Sequence, residues 1–177
     1  MRPERVETVC PTEMFWQIIA GHQQRPLQEI TREFADRRIL ALDPGETTGV
    51  AIWNGANGSF ELFQLETKEI GQSYDILHAL VQSEKPDHLR YEEYRIYNWM
   101  ADSHSWSVLH TPQLIGAIRV VAHLLAIPIS CKLAQQAKAV FNDNVLKMCD
   151  LYEPGLKHAR DASRHLFYYM ALPDKED

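Results

Sequence analysis

The stretch ILALDPG at residues 39–45 predicts a buried strand that ends in a turn. Four apolar residues in a row are typical of a strand inside a sheet, and Pro-Gly is a turn signal. Such a strand carries the Asp43 carboxylate to the rim of the sheet, where ligand sites gather in α/β proteins. Gly45 and Gly49 would let a phosphate or a metal ion approach the backbone closely. The alternative is a plain hairpin turn that begins at Asp43.

The segments around this strand predict an α/β domain. Hydrophobic periodicity predicts strands at 39–42, 49–53, 59–65, 88–94 and 127–131, and helices at 70–84, 107–126, 133–148 and 157–171. Three strands joined by tight turns, followed by alternating helices and strands, favour a mixed five-stranded sheet flanked by helices. Residues 1–38 are predicted to form a helical N-terminal extension, and residues 39–177 the domain itself.

The composition is that of a globular protein with no membrane segment. The chain has 177 residues, 45% of them hydrophobic and 24% charged, and no apolar run approaches the length of about 20 residues that spans a bilayer. Its three cysteines, Cys10, Cys131 and Cys149, are scattered, which favours reduced thiols and a cytoplasmic location.

The net charge of −6 argues against a protein that coats nucleic acid, because neutralising phosphates requires Lys and Arg. The charge is unevenly distributed, however. Residues 39–80 carry six acids and one base, whereas residues 131–173 carry six bases and four acids. Carboxylates that bind a metal ion add negative charge without excluding a polyanion.

Two further acidic motifs follow ILALDPG. Glu92 and Glu93 lie at the end of the predicted fourth strand, where adjacent side chains point to opposite faces. Only one of them can therefore join Asp43, and periodicity does not choose between them. His158 and Asp161 stand three residues apart near the start of the last predicted helix, on one of its faces. Taken alone, the two glutamates can equally be solvated charges at a strand end. Asp161 can equally be an N-terminal acid favoured by the helix dipole, with His158 as a surface histidine.

Together, the three motifs predict a metal site. Carboxylate oxygens with few other donors suit Mg²⁺ or Mn²⁺. Two such ions can activate water and stabilise the leaving oxygen in a phosphoryl displacement. The sequence therefore predicts metal-dependent cleavage of a nucleic-acid backbone.

The same residues resemble the ribonuclease H-like superfamily, and specifically the RuvC-type Holliday junction resolvases with their bacteriophage relatives. The resemblance rests on ILALDPG with Thr48-Gly49 behind it, on the strand ending in Tyr91-Glu92, and on HARDA at residues 158–162. It covers residues 39–171, and the 38 residues before the first strand depart from the family pattern.

The resemblance implies an active site and a substrate. Asp43, Glu92 and Asp161 would ligate two Mg²⁺ ions, with Mn²⁺ as a possible substitute. His158 would act as a base or lie beside the metal, and the family pattern selects Glu92 over Glu93. The implied reaction is hydrolytic cleavage of branched DNA, most often Holliday junctions, by a homodimer in which the helix at 107–126 contributes to the interface.

Several residues outside the acidic cluster are candidates for DNA contact. Aromatic residues interleaved with a base after Glu92 could stack on unpaired bases at a branch point, and lysines toward the C-terminus could line a phosphate path. Loop packing and ordinary solvated lysines are the competing explanations. The candidates are Arg95, Tyr97, Lys132, Lys138 and Lys157.

Three alternative functions are weighed against the resolvase. The sugar-kinase and actin fold also opens with Asp-x-Gly-x-Thr, which residues 43–47 fit, but it needs two domains and more residues than this chain has. A catalytically silent adaptor would keep the fold without the chemistry, although every expected metal position holds a competent residue. A resolvase-like nuclease acting on a flap or an RNA shares the chemistry and differs in substrate.

Overall fold

The computed structural model describes residues 6–95 and 109–172. Within those ranges six strands form one mixed sheet in the order β1-β4-β3-β2-β5-β6. The strands are β1 (Glu7–Val9), β2 (Arg38–Asp43), β3 (Thr47–Asn54), β4 (Ser59–Glu66), β5 (His88–Glu93) and β6 (Ile129–Leu133). The helices are α1 (Glu13–Gln23), α2 (Leu27–Ala35), α3 (Ile70–Glu84), α4 (His110–Leu124), α5 (Ala134–Val140), α6 (Asp143–Met148) and α7 (Lys157–Ala171).

The sheet confirms the predicted α/β class. Strands β1 to β4 pair antiparallel, and β2, β5 and β6 pair parallel. The sheet has one more strand than the five predicted. The additional strand, β1, comes from the N-terminal segment and pairs with the edge strand β4, with Glu7 opposite Leu62. A segment of three residues is too short to show a hydrophobic period, so the strand cannot be recognised in the sequence. It forms by pairing with the edge of the folded sheet.

Helices cover both faces of the sheet, because β2 presents apolar side chains to each face. Ile39 and Ala41 face a core formed with α1, α2 and α7, and Leu40 and Leu42 face a second core formed with α3 and α4. A run of consecutive apolar residues is the pattern expected for a strand buried on both faces. Asp43 is the last residue of β2 and therefore lies at the carboxyl edge of the sheet.

The N-terminal segment packs into the first of these cores. Phe15 on α1 and Phe34 on α2 are buried in the cluster that also contains Phe167 on α7. The Trp53 indole Nε1 donates a hydrogen bond of 2.8 Å to the Phe34 carbonyl oxygen. The predicted helical character of residues 1–38 thus corresponds to α1 and α2, and the domain boundary after residue 38 stays a prediction.

The predicted helix at 133–148 is divided into α5 and α6. The α5 helix ends before Phe141, and the Asn142 side chain accepts hydrogen bonds from the backbone N–H groups of Asn144 and Val145, which caps α6. An Asn side chain that bonds nearby backbone N–H groups favours the start of a new helix over continuation of the previous one, which is why two helices form here. In the described parts of the chain, no helix has both the length and the apolar character needed to cross a bilayer.

Candidate active site

Asp43 and Glu92 lie at the ends of neighbouring parallel strands. The strand register pairs Leu42 of β2 with Tyr91 of β5, and each acid is the next residue of its strand. Tyr91 packs in the core under α3 and α4, whereas Arg90 on the other face lies over Tyr169 of α7. Alternation therefore puts Glu92 on the α7 face, which is also the face of Asp43.

Glu93 points away from this site. Its carboxylate forms an ion pair with Arg95, at 3.1 Å between Oε1 and the Arg95 Nε atom. The strand geometry thus brings Glu92 to Asp43 and leaves Glu93 on the opposite face. Periodicity could not make this choice, since it depends on which face of β5 the last helix covers.

The α7 helix brings a histidine and an acid to the two strand ends. The His158 Nδ1 atom lies 3.0 Å from Asp43 Oδ2. Asp161, one turn further along the helix, is 8% exposed and close enough to Asp43 to influence its ionisation. The four predicted active-site residues, Asp43, Glu92, His158 and Asp161, are therefore gathered at one edge of the sheet.

The first turn of α7 can reach Asp43 because a glycine stands opposite it. Gly49 pairs with Asp43 in the β2–β3 register, and a Cβ atom at Gly49 would lie 2.0 Å from the His158 carbonyl oxygen. Gln64, which pairs with Gly49 on β4, accepts a hydrogen bond of 2.9 Å at Oε1 from the His158 backbone N–H. This side chain satisfies one of the donors that a helix N-terminus leaves unpaired.

We expect Gly49→Ala to lower both the stability and the nuclease activity that the sequence predicts. The added methyl group would collide with backbone atoms, so β3 or the start of α7 must shift, at a cost of about 1–3 kcal/mol. The shift would also move His158 away from Asp43. Chemical denaturation and single-turnover cleavage measure the two effects. Gly71→Ala is the matched control, because a Cβ at Gly71 has no atom within 4 Å; equal stability of the two variants would contradict the prediction.

Burial and the neighbouring carboxylates act together on the ionisation of Asp43, and burial is the larger effect. Burial and, next, the negative charge of Glu92 raise the pKa of Asp43 to about 7, and Asp161 acts in the same direction. The hydrogen bond from His158 opposes the rise. A cation placed between Asp43 and its acidic neighbours would stabilise the ionised form of this carboxyl group.

Two cations hold Asp161. The Lys138 Nζ atom lies 3.2 Å from Oδ2, and the buried Arg164 guanidinium donates a hydrogen bond to Oδ1. Arg164 also bonds the carboxylate of Asp143 and donates from Nε to the Phe141 carbonyl oxygen at 2.9 Å. Arg164 thus ties α7 to the junction between α5 and α6 while it fixes one oxygen of Asp161.

The donor set fits a hard divalent ion in its chemistry. Asp43, Glu92 and Asp161 supply carboxylate oxygens. The pKa of Asp43 is raised by burial and by the negative charge of Glu92, and a dication would offset both effects. Within residues 6–95 and 109–172, no three His, Cys, Asp or Glu side chains already stand at ligand spacing. A metal ion at Asp161 Oδ2 would compete with Lys138, which contacts that oxygen.

The predicted DNA-contacting residues are distributed unevenly. Lys138 and Lys157 line one open cavity of about 360 Å³ beside Asp161, together with Arg160 and Arg164. Lys132 on β6 pairs in register with Glu92. Arg95 is engaged with Glu93 on the other face, and Tyr97 lies outside the described residues. The structure thus brings Lys138 and Lys157 to one side of the acidic cluster.

Three residues of the site were missed by the sequence prediction. Gln64 gave no local signal, because its role depends on pairing between β3 and β4. Arg164 and His165 could have been found from the sequence, because they follow Asp161 by three and four residues on the same helix and so lie on its face. His165 hydrogen-bonds Glu92, with 3.0 Å between Nε2 and Oε2.

Comparison with known proteins identifies the fold. No protein-family model matches the chain, and no curated protein sequence matches it significantly. Among solved structures, the T. thermophilus RuvC in complex with a Holliday junction substrate matches with a TM-score of 0.54 and 17% identity over 75% of this chain and 94% of that one. A second Thermus thermophilus RuvC structure matches with a TM-score of 0.51 and 15% identity, covering 74% and 94%.

The yeast mitochondrial Holliday junction resolvase Ydc2 matches over more of this chain. Its TM-score is 0.51 at 14% identity, and the match covers 89% of this chain and 91% of that one. Residues 39–177 alone make up a smaller share of the chain than this match covers, so the similarity includes part of the N-terminal segment. These matches define a ribonuclease H-like α/β fold. More specifically, the chain has the fold of the RuvC-type Holliday junction resolvases, as the sequence resemblance predicted.

Proposed function

We propose that the chain is a divalent-metal-dependent endonuclease that cuts branched DNA, with Holliday junctions as its preferred substrate. The observation that carries the proposal is the convergence of Asp43, Glu92, His158 and Asp161 at one sheet edge. The fold is shared with RuvC and Ydc2, which are described as a protein bound to a Holliday junction and as a Holliday junction resolvase.

In the proposed reaction, Asp43, Glu92 and Asp161 would hold two Mg²⁺ ions, for which Mn²⁺ could substitute. Bound Mg²⁺ would supply charge neutralisation at the phosphodiester and a lowered pKa for the attacking water. His158 positions that water or takes its proton, while the hydrogen bond to Asp43 fixes the imidazole ring through Nδ1. The water oxygen bonds to phosphorus as the bond to the 3′ oxygen breaks, which leaves a 5′-phosphate and a 3′-hydroxyl.

The basic cavity beside Asp161 supports the choice of a nucleic-acid substrate. Lys138, Lys157, Arg160 and Arg164 place four cations around it, against the carboxylates of Asp143 and Asp161. This local excess of positive charge suits a DNA backbone next to the cutting site in spite of the net charge of −6. Arg95, Tyr97 and Lys132 remain proposed contacts for the other arms of the junction.

A homodimer is part of the proposal, because cutting both strands of a junction symmetrically needs paired active sites. Two apolar side chains on α4 support it. Val120 is 57% exposed, and Leu124, one turn later, is 74% exposed. We further propose a cytoplasmic location, since Cys10, Cys131 and Cys149 are all free, as expected in a reducing compartment.

Cleavage of a panel of labelled substrates tests the function. The panel contains a four-way junction, a flap, a linear duplex, a single strand and an RNA hairpin, each with Mg²⁺ and with EDTA. We expect Mg²⁺-dependent cutting of the junction at least tenfold faster than of the linear duplex. Paired cuts within one binding event, read as linear product from a cruciform plasmid, would support the dimer.

Other outcomes of the same panel discriminate the alternatives. Faster cutting of the flap or of the RNA hairpin would assign the nuclease to a different substrate. Tight junction binding without cutting under any metal would instead identify a catalytically silent adaptor. Absence of both binding and cutting across the panel would overturn the proposal.

A further inference from the structure

His165 is a buried imidazole that the proposed reaction does not use. It follows His158 by seven residues and Asp161 by four, so α7 presents all three side chains along one side. The side chain is 1% exposed, and its Nε2 atom lies 3.0 Å from Glu92 Oε2. Because an ionised carboxylate only accepts hydrogen bonds, Nε2 is the donor.

The surroundings of His165 argue against a purely space-filling role. Its second ring nitrogen, Nδ1, is buried and has no hydrogen-bond partner among the described residues. Burying a polar atom without a partner costs free energy, which an apolar side chain at this position would avoid. The one hydrogen bond that the described structure gives the ring is directed at Glu92.

The two histidines of α7 stand in parallel positions with different exposure. His158 contacts Asp43 on β2 and has a side chain that is 40% exposed, whereas His165 contacts Glu92 on the neighbouring strand β5 from inside the core. A group that exchanges protons with water must be reachable by it, and His158 is. A group that only holds a carboxylate in place is best immobilised by packing, as His165 is.

We propose that His165 is a positioning residue for Glu92. By donating to Oε2 it fixes the rotamer of the Glu92 carboxylate and so prepares that group to bind a metal ion. The proposal rests on the proposed nuclease function, because it assumes that Glu92 is a metal ligand. Groups that orient ligating carboxylates in this way commonly contribute 10- to 100-fold to metal affinity or activity.

Two polar substitutions separate positioning from packing. In His165→Gln the amide nitrogen lies near the position of Nε2 and can still donate to Glu92. In His165→Asn it lies near the position of Nδ1 and cannot. Both variants are neutral and polar, but Asn is the smaller, so His165→Leu, which is close to histidine in volume and has no donor, completes the set. A packing role predicts that Leu and Gln both bind metal like the wild type, whereas a positioning role predicts that Gln rescues and that neither Asn nor Leu does.

Mn²⁺ binding to the protein without DNA is the decisive readout, followed by the free-Mn²⁺ signal in electron paramagnetic resonance. We expect His165→Asn to weaken Mn²⁺ binding about 10- to 100-fold and to slow single-turnover junction cleavage by a similar factor. Junction affinity in EDTA should stay unchanged, and His165→Gln should recover most of both losses.

Controls keep the result interpretable if the fold is disturbed. His88→Asn removes a different histidine hydrogen bond, to Ser130 Oγ at 2.7 Å, at the other end of β5, and reports the general effect of such a loss. If His165→Asn does not fold, His165→Leu fills the same space without a donor and should show the same loss of Mn²⁺ binding.

Failure of the positioning role can be told apart from failure of the proposed function. Wild-type protein that neither binds Mn²⁺ nor cuts any branched substrate would overturn the function itself. If the wild type does both, and His165→Asn and His165→Leu bind Mn²⁺ as tightly as the wild type, only the positioning role is overturned. Equal defects in His165→Gln and His165→Asn would overturn it as well.

Discussion

Asp43→Asn is expected to slow the proposed Mg²⁺-dependent cleavage of a four-way junction by about 10²- to 10³-fold, the scale on which loss of one polar group at a reacting centre acts. Asparagine keeps the shape of the side chain and removes the negative charge that a metal ion requires. It also removes the burial of a charge and the repulsion from Glu92 and Asp161, which together raise the pKa of Asp43 to about 7. We therefore expect the variant to fold at least as stably as the wild type.

Two measurements separate catalysis from binding in this variant. Single-turnover cleavage gives the chemical rate, and junction binding in EDTA should be unchanged, because the substitution removes a negative charge and no cationic contact. Asp75→Asn makes the same chemical change on the exposed surface of α3, away from the α7 face, and should cut at the wild-type rate. Cleavage by Asp43→Asn within tenfold of the wild type would contradict the assignment of Asp43.

Arg164→Met is expected to lower the free energy of unfolding by about 3–5 kcal/mol, the usual cost of removing one partner of a buried ion pair. Asp161 would keep its charge in a position that is 8% exposed, with the exposed Lys138 as its remaining ion-pair partner. The Phe141 carbonyl oxygen would lose its donor as well. For a chain of this length the change corresponds to a fall in Tm of roughly 6–20 °C.

Thermal and chemical unfolding without divalent metal measure this effect. Arg25→Met is the matched control, because Arg25 pairs with Glu33 and Glu29 on the surface with a side chain that is 40% exposed. An exposed pair contributes at most about 1 kcal/mol. If Arg164→Met costs no more than Arg25→Met, the buried network does not hold α7 in place.

Much of the fold could be read from local patterns, because burial imposes a period on the sequence. The helices at 70–84 and 157–171 were predicted with the bounds that the structure has, since their apolar stripes recur at helical spacing. The strand ending at Asp43 was recognisable from its apolar run and the Pro-Gly turn. The edge strand β1 was missed, because its three residues become a strand only by pairing with β4.

By itself, the sequence determined the residue types of the site, the order of the elements that carry them and the resemblance to RuvC-type resolvases. The tertiary structure alone decided which side chains meet. Glu92 joins Asp43 because α7 covers that face of β5, and Gly49 matters because His158 lies directly above it. Gln64, Arg164 and His165 belong to the site for the same reason: contacts between residues far apart in the chain depend on strand register and helix docking, which no local pattern encodes.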